Sequence, residues 1–259
     1  MTPVTPVVPN GGEELQLHGL ADQVARLRSS EPCATVFEID CDRAAIARPD
    51  LEAVLDAGER AAVSRLRQPQ QRQRATVLRG ALRWILGVHL GVPPERVPLV
   101  REPGGRPRLR SAQGSAELSI SSASCGALGA IVLASGTEVG IDLECVAEHR
   151  FPPALARHIL HPREVALFAA VPLDARCAWL TSAWVCKEAL LKTLGLGLRM
   201  DPRLVEVMSS DQPACPQGGV FRPAGFAPWQ GWVHPRGTVL TALAFTNPAT
   251  RTPVFRVTV

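Results

Sequence analysis

The chain has 259 residues, 46% of them hydrophobic and 20% charged, with a formal net charge of +4. Those proportions describe a globular protein that can bury a sizeable core as one large domain or two smaller ones. Seven cysteines without CxxC or CxxH spacing argue against a disulfide framework and a zinc site, and favour a reducing compartment. The opening stretch "MTPVTPVVPNGGEELQ" has no basic n-region and no continuous apolar run, and no other segment is long enough to span a bilayer. The expectation is a cytoplasmic protein without a membrane partner. Charge is unevenly placed: seven arginines lie between Arg60 and Arg83 with no acidic residue among them. Such a block is either a solvated helix face or a surface for an anionic partner, which could be nucleic acid, a phosphorylated cofactor or an acidic protein.

Residues 1–30 are punctuated by Pro and Gly and read as an N-terminal arm, mobile or loosely docked. "CATVFEID" (33–40) reads as a first strand. Helical material follows from Gly58, interrupted near Pro69. In its second half, 72–90, Val77, Leu78, Ala81, Leu82, Ile85 and Leu86 recur at steps of three and four and form one buried face, with Gly87 or Gly91 near the stop. "EPGGRPRLRSAQGS" reads as a loop. "AELSISSAS", "ALGAIVLAS" and "EVGIDLECV" read as strands, the last two as a hairpin about "GT". Helices are expected over 153–170 and 174–194, the second with Asp174 as N-cap and Gly195 just past its end. The tail offers further strands at "VEVM", "GWVHP", "TVLTALAF" and "PVFRVTV". The pattern is α/β, in halves 31–138 and 139–259 that meet near Val139.

Two stretches carry chemistry. In "VGIDLECV", alternation places Ile141 and Leu143 on one strand face and Asp142 and Glu144 on the other. Side-by-side carboxylates repel, so the pair is either a solvated outer face or a site for a hard cation such as Mg²⁺ held together with phosphate oxygens. In "SAWVCKEALLKTLGLGL" stand the chain's only two lysines, Lys187 and Lys192. Trp184, Glu188 and Lys192 step by four along one helix side, while Lys187 projects near the apolar stripe. A surface Glu–Lys pair would account for this, but the cations elsewhere in the chain are arginines. Lysine differs from arginine in being a compact ammonium that can shift its pKa and exchange a proton, so Glu188 and Lys192 are candidates for acid/base work around a phosphate.

"VGIDLE" followed some forty residues later by "WVCKEALLK" resembles the signature pair of the Sfp-type 4′-phosphopantetheinyl transferases, GxDxE and WxxKEAxxK. "RATVLRGALRWILG" is similar to that family's Arg-bearing helix. "GGRPRL" is similar to its G-K-P-x-L segment, with Arg106 in place of Lys, and "LHPREVALF" to a helix carrying an acidic residue, here Glu164. The resemblance covers roughly residues 50–200. It implies two similar α/β halves in a pseudo-twofold arrangement, with coenzyme A and Mg²⁺ at their junction, all within a monomer. It implies transfer of the phosphopantetheine arm of coenzyme A to a serine of an acyl- or peptidyl-carrier protein, as in polyketide or nonribosomal peptide biosynthesis, with release of 3′,5′-ADP. On this resemblance Asp142, Glu144 and Glu188 hold the metal, and Glu188 or Glu164 is the base. Lys192 stabilises the leaving phosphate with Lys187 in support, and Arg74, Arg79, Arg83 and Arg106 meet the nucleotide phosphates.

The match breaks at one point. Where the family has Ser-His-Ser, this chain has Ser121, Ser122 and Ala123, so a hydroxyl stands in for the imidazolium expected on the 3′-phosphate. Loss of one charge-assisted hydrogen bond there would weaken coenzyme A binding by about 1.5–3 kcal/mol. A repurposed relative that binds coenzyme A or a modified carrier protein without transfer is therefore the alternative. A nucleic-acid binder is disfavoured, because aromatic residues are not interleaved with the arginines.

Overall fold

A computed structural model describes residues 13–16, 32–47, 49–102, 104–110, 118–147, 152–209, 218–247, 250 and 254–258. Most of the expected N-terminal arm lies outside the described residues; within it, Glu13–Gln16 forms a strand, β1. The architecture is mixed α/β and falls into two compact units. One spans Pro6–Ile120, Gly126–Gly136 and Arg251–Val259, the other Ser121–Cys125 and Thr137–Thr250.

In the first unit, β2 (Cys33–Asp40) pairs antiparallel with β6 (Leu128–Ser135) and parallel with β11 (Val254–Thr258), and β11 pairs parallel with β1. Helix α1 (Cys41–Ala47) follows β2 directly, and α2 (Ala57–Ser64) begins with a capping box built by Asp56 and Glu59. Helix α3 (Pro69–Leu90) carries the expected stripe: Val77, Ala81, Leu82, Ile85 and Leu86 are buried against Phe37, Ile39, Ile120 and Ile131. The expected interruption of helical material falls just before Pro69, which opens this helix, since the first turn has no use for its missing N–H. The segment expected as a loop contains a short strand, β4 (Pro107–Leu109), which pairs antiparallel with β3 (Leu99–Arg101) just before it. The turn between them closes through the Gly105 N–H on the Glu102 carbonyl at 2.7 Å, and the Gly105 φ of 84° directs the chain back so that the Arg106 carbonyl accepts from the Glu102 N–H at 3.0 Å. Three-residue strands are too short for alternation to reveal them.

The second unit has a four-stranded antiparallel sheet in the order β7-β10-β9-β8, comprising β7 (Val139–Cys145), β8 (Gly219–Phe221), β9 (Gln230–Arg236) and β10 (Val239–Phe245). The expected hairpin of "ALGAIVLAS" with "EVGIDLECV" does not form: β6 pairs with β2 and β7 pairs with β10. Strand β5 (Ser119–Cys125) begins in the first unit and continues in the second. The helix expected over 153–170 is broken into a 3-10 turn, α4 (Ala156–Ile159) and α5 (Pro162–Ala169), because Pro162 restarts the chain at a first-turn position. Helix α6 (Arg176–Thr193) starts after a 3-10 turn that contains Asp174, so Ala175 takes the N-cap position without a side-chain bond. It ends as expected. Gly195 at φ 69° gives its N–H to Lys192, and Leu196 gives its own to Leu191, a Schellman ending. "VEVM" (205–208) is not a strand.

Helix α6 is buried nearly all round from Trp179 to Thr193, the signature of a helix inside its core rather than on it. Gly140 makes its close seat on β7 possible. A Cβ built there would lie 2.1 Å from the Ala189 carbonyl oxygen and 2.5 Å from the Thr193 nitrogen. Among the described residues no helix is long and apolar enough to cross a membrane. Gly140→Ala is expected to destabilise the protein by at least about 3 kcal/mol in urea unfolding, since the clash is with backbone and cannot be relieved by a rotamer.

Candidate active site

Because successive strand side chains alternate, Gly140, Asp142 and Glu144 share the β7 face that meets α6. Neither carboxylate lies on a solvated outer face. Asp142 is buried and Glu144 half-buried. Helix α6 answers with three side chains spaced by four. Trp184 donates its indole N–H to Glu144 Oε1 at 3.3 Å. Lys192 Nζ donates to Asp142 Oδ1 at 2.7 Å and to the Ile141 carbonyl at 3.0 Å. Glu188 lies between them on the helix and is buried, and its Oε1 has no hydrogen-bond partner among the described residues. Burial first, then the charges of Asp142 and Glu144, push the Glu188 carboxyl up to about 7, with Lys192 acting the other way. Trp184 was visible in the sequence as a member of this face, but its role as donor to Glu144 was not.

The donor set is made of oxygens in electrostatic contact, with the buried Glu188 Oε1 unpartnered among the described residues, and this fits a hard cation. No group of three His, Cys, Asp or Glu side chains is drawn together tightly enough to form a ready-made cage among the described residues. Magnesium commonly takes one or two carboxylates and fills its remaining positions with substrate oxygens and water.

The second lysine does different work. Lys187 is fully buried and places its three donors on Glu164 Oε2 at 2.7 Å, the Pro202 carbonyl at 3.0 Å and the Val205 carbonyl. Glu164, equally buried, accepts from the Val207 and Met208 amides at Oε1 and from the His161 amide at Oε2. This pair ties α5, α6 and the segment 202–208 together, and it supplies the hydrogen bonds that a strand at "VEVM" would have found in a sheet. Burial lowers the Lys187 pKa, opposed by Glu164. Expectations of Glu164 as a base and Lys187 as a phosphate contact meet two groups with no exposed surface and filled hydrogen-bonding positions.

The arginines divide likewise. Arg83 is buried and bonds Glu59 and Asp56 at 2.5 Å each, with the Pro94 and Val97 carbonyls at 3.3 Å, so it braces α2 and α3 rather than facing a phosphate. Arg74 holds Asp42 through two 2.6 Å bonds. Arg106 turns to Ser119 Oγ at 2.8 Å and the Ile120 carbonyl at 3.4 Å. Arg79 is half-buried and its Nη1 has no hydrogen-bond partner among the described residues; its charge, after burial, helps to lower the pKa of Arg101. Ser121 accepts from the Ile141 amide at 3.2 Å and so steadies β7 beside Asp142, while Ser122 is half-buried.

The acidic centre with its paired lysine thus lies between a strand and a buried helix. The family model of the 4′-phosphopantetheinyl transferase superfamily matches residues 138–244, the stretch that contains Asp142, Glu144, Glu188 and Lys192. The 4′-phosphopantetheinyl transferase HetI of Nostoc sp. (strain PCC 7120) is 32% identical over 181 residues, 69% of this chain and 76% of that protein. The L-aminoadipate-semialdehyde dehydrogenase-phosphopantetheinyl transferase of Eremothecium gossypii is 36% identical over 165 residues, 61% of this chain and 57% of that protein. A holo-[acyl-carrier-protein] synthase of Streptococcus pyogenes serotype M12 is 32% identical over 82 residues, 30% of this chain and 69% of its own length. The chain belongs to the 4′-phosphopantetheinyl transferase superfamily and is a transferase.

Two measurements check this geometry. Lys187→Met should cost about 3–5 kcal/mol in urea unfolding by stranding a buried carboxylate, and Glu164→Gln in the same chain should restore part of it. Glu188 has a folded-state pKa above its ordinary 4.5, so the native state holds the extra proton and stability falls as pH rises from about 4.5 to about 7. In metal-free buffer, Glu188→Gln should match the wild type near pH 4 and exceed it by about 2–3 kcal/mol at pH 8.

Proposed function

We propose that this transferase moves the phosphopantetheine arm of coenzyme A to a serine of an acyl- or peptidyl-carrier protein, with Mg²⁺, and releases 3′,5′-ADP. The observation that carries the reading is the acidic centre itself, in which Asp142, Glu144, Glu188 and Lys192 converge from two family signatures. The serine oxygen forms a bond to the β-phosphorus of the coenzyme A pyrophosphate, and the bond from that phosphorus to the bridging oxygen breaks. The serine proton passes to Glu188, directly or through a metal-bound water. Lys192, whose side chain is partly exposed, offers its ammonium to the leaving phosphate. Asp142, Glu144 and Glu188 would hold Mg²⁺, which neutralises pyrophosphate charge when bound. Arg79, whose Nη1 has no hydrogen-bond partner among the described residues, is kept as a candidate to meet a nucleotide phosphate. The free cysteines among the described residues suit a cytoplasmic setting, and polyketide or nonribosomal peptide synthases are the systems whose carrier domains need this modification. A complete set of site residues within one chain is the basis for reading it as a monomer.

A second reading is supported by specific residues. Ser122 lacks the imidazolium charge, and Arg74 and Arg83 are engaged with internal carboxylates, so coenzyme A would be held with fewer cations than the family resemblance implies. In that reading the protein binds a phosphopantetheine-bearing ligand without transfer. Intact-mass measurement of an apo carrier protein, incubated with this protein, coenzyme A and Mg²⁺, separates the two. Transfer predicts a mass gain of one phosphopantetheine, lost without metal and reduced at least about 100-fold in Glu188→Gln. No gain across several carrier proteins would favour the binding reading.

A further inference from the structure

We infer that Lys192 is the resident counter-ion of the acidic centre and competes with the divalent cation for Asp142. The inference rests on the proposed cation site and adds to it an antagonist built into the same helix. Asp142 is buried on the β7 face, and its Oδ1 is 2.7 Å from the Lys192 ammonium, which is fixed by a second bond to the Ile141 carbonyl at 3.0 Å. An ammonium and a divalent cation cannot both approach that carboxylate closely without strong repulsion in a partly desolvated site. The side chain is about a quarter exposed, so the ammonium has room to swing outward. Lys187 provides the contrast. It is fully enclosed, with its donors on Glu164 and two backbone carbonyls, and no comparable movement is open to it.

The arrangement gives Lys192 two stations. Without ligands it neutralises Asp142 and keeps the cluster of carboxylates from standing uncompensated. When a phosphate arrives, the ammonium gains an anionic partner and releases Asp142 to the cation. Binding of phosphate and of metal are then linked through one side chain, and the metal alone binds weakly because it must displace a tethered cation. A lysine suits this better than an arginine, whose planar fork would hold the carboxylate by two bonds.

The test is titration of Mn²⁺ alone, followed by the paramagnetic signal of the free ion, into wild-type protein, Lys192→Gln and Lys192→Arg. Removing the charge in Lys192→Gln should tighten Mn²⁺ by about tenfold, while Lys192→Arg, which keeps the charge, should bind no more tightly than wild type. Equal or weaker binding in Lys192→Gln would overturn the inference, as would failure of all three proteins to bind Mn²⁺ at millimolar concentration. If Lys192→Gln does not fold, the inference is read from the wild type and Lys192→Arg with added pyrophosphate analogue. A methylene-bridged diphosphate should then raise wild-type Mn²⁺ affinity beyond the analogue's own chelation, and no increase would overturn it. Carrier-protein transfer by the wild type is scored separately. Transfer without the Mn²⁺ effect removes this inference alone, and the Mn²⁺ effect without transfer removes the function.

Discussion

The seat of helix α6 on strand β7 is the constraint from which the site follows. Gly140 removes the one side chain that would hold the two apart, and the Ala189 carbonyl and Thr193 occupy the space a Cβ would need. At that separation, the next two residues on the same strand face, Asp142 and Glu144, come within hydrogen-bonding reach of Lys192 and Trp184. The glycine of the "VGIDLE" stretch is thus a packing element first. Its chemical value is indirect: it sets how near the helix can bring an ammonium and a third carboxylate to the first two.

The two lysines show how one residue type serves opposite ends in one helix. At 187 the long stem reaches through the core and the ammonium is satisfied on every side, which makes the Lys187–Glu164 pair a tie between elements. Such a buried pair adds little net stability over apolar residues of similar volume, but it is costly to break on one side. At 192 the same ammonium is partly exposed, bonded to a carboxylate that a cation would also want. Burial separates the two: the enclosed lysine ties elements together, and the half-open one keeps access to solvent.

Much of this was legible in the chain. The period of apolar residues in α3, the strand at 33–40, the Schellman ending at Gly195 and the shared face of Trp184, Glu188 and Lys192 all follow from local spacing. What local spacing does not carry is which strand pairs with which. β6 and β7 are neighbours in the chain joined by a plausible turn, yet β6 lies between β2 and β5 in one sheet and β7 pairs with β10 in another. Nor does it show which arginine braces the fold. Arg83 differs from Arg79 only by one turn of helix, and the acids that capture it, Asp56 and Glu59, belong to another helix. Glu164 was singled out for its acidity, but most of its partners, Lys187 and the 207–208 amides, lie more than twenty residues away.

Bond cleavage is the most direct test of the account. In phosphorus NMR of a single turnover with coenzyme A, Mg²⁺ and an apo carrier protein, the account requires the pyrophosphate resonances to disappear. They should be replaced by one protein-bound phosphodiester and one equivalent of 3′,5′-ADP. Persistence of the pyrophosphate under saturating coenzyme A, or release of 3′,5′-ADP without the phosphodiester, would contradict it.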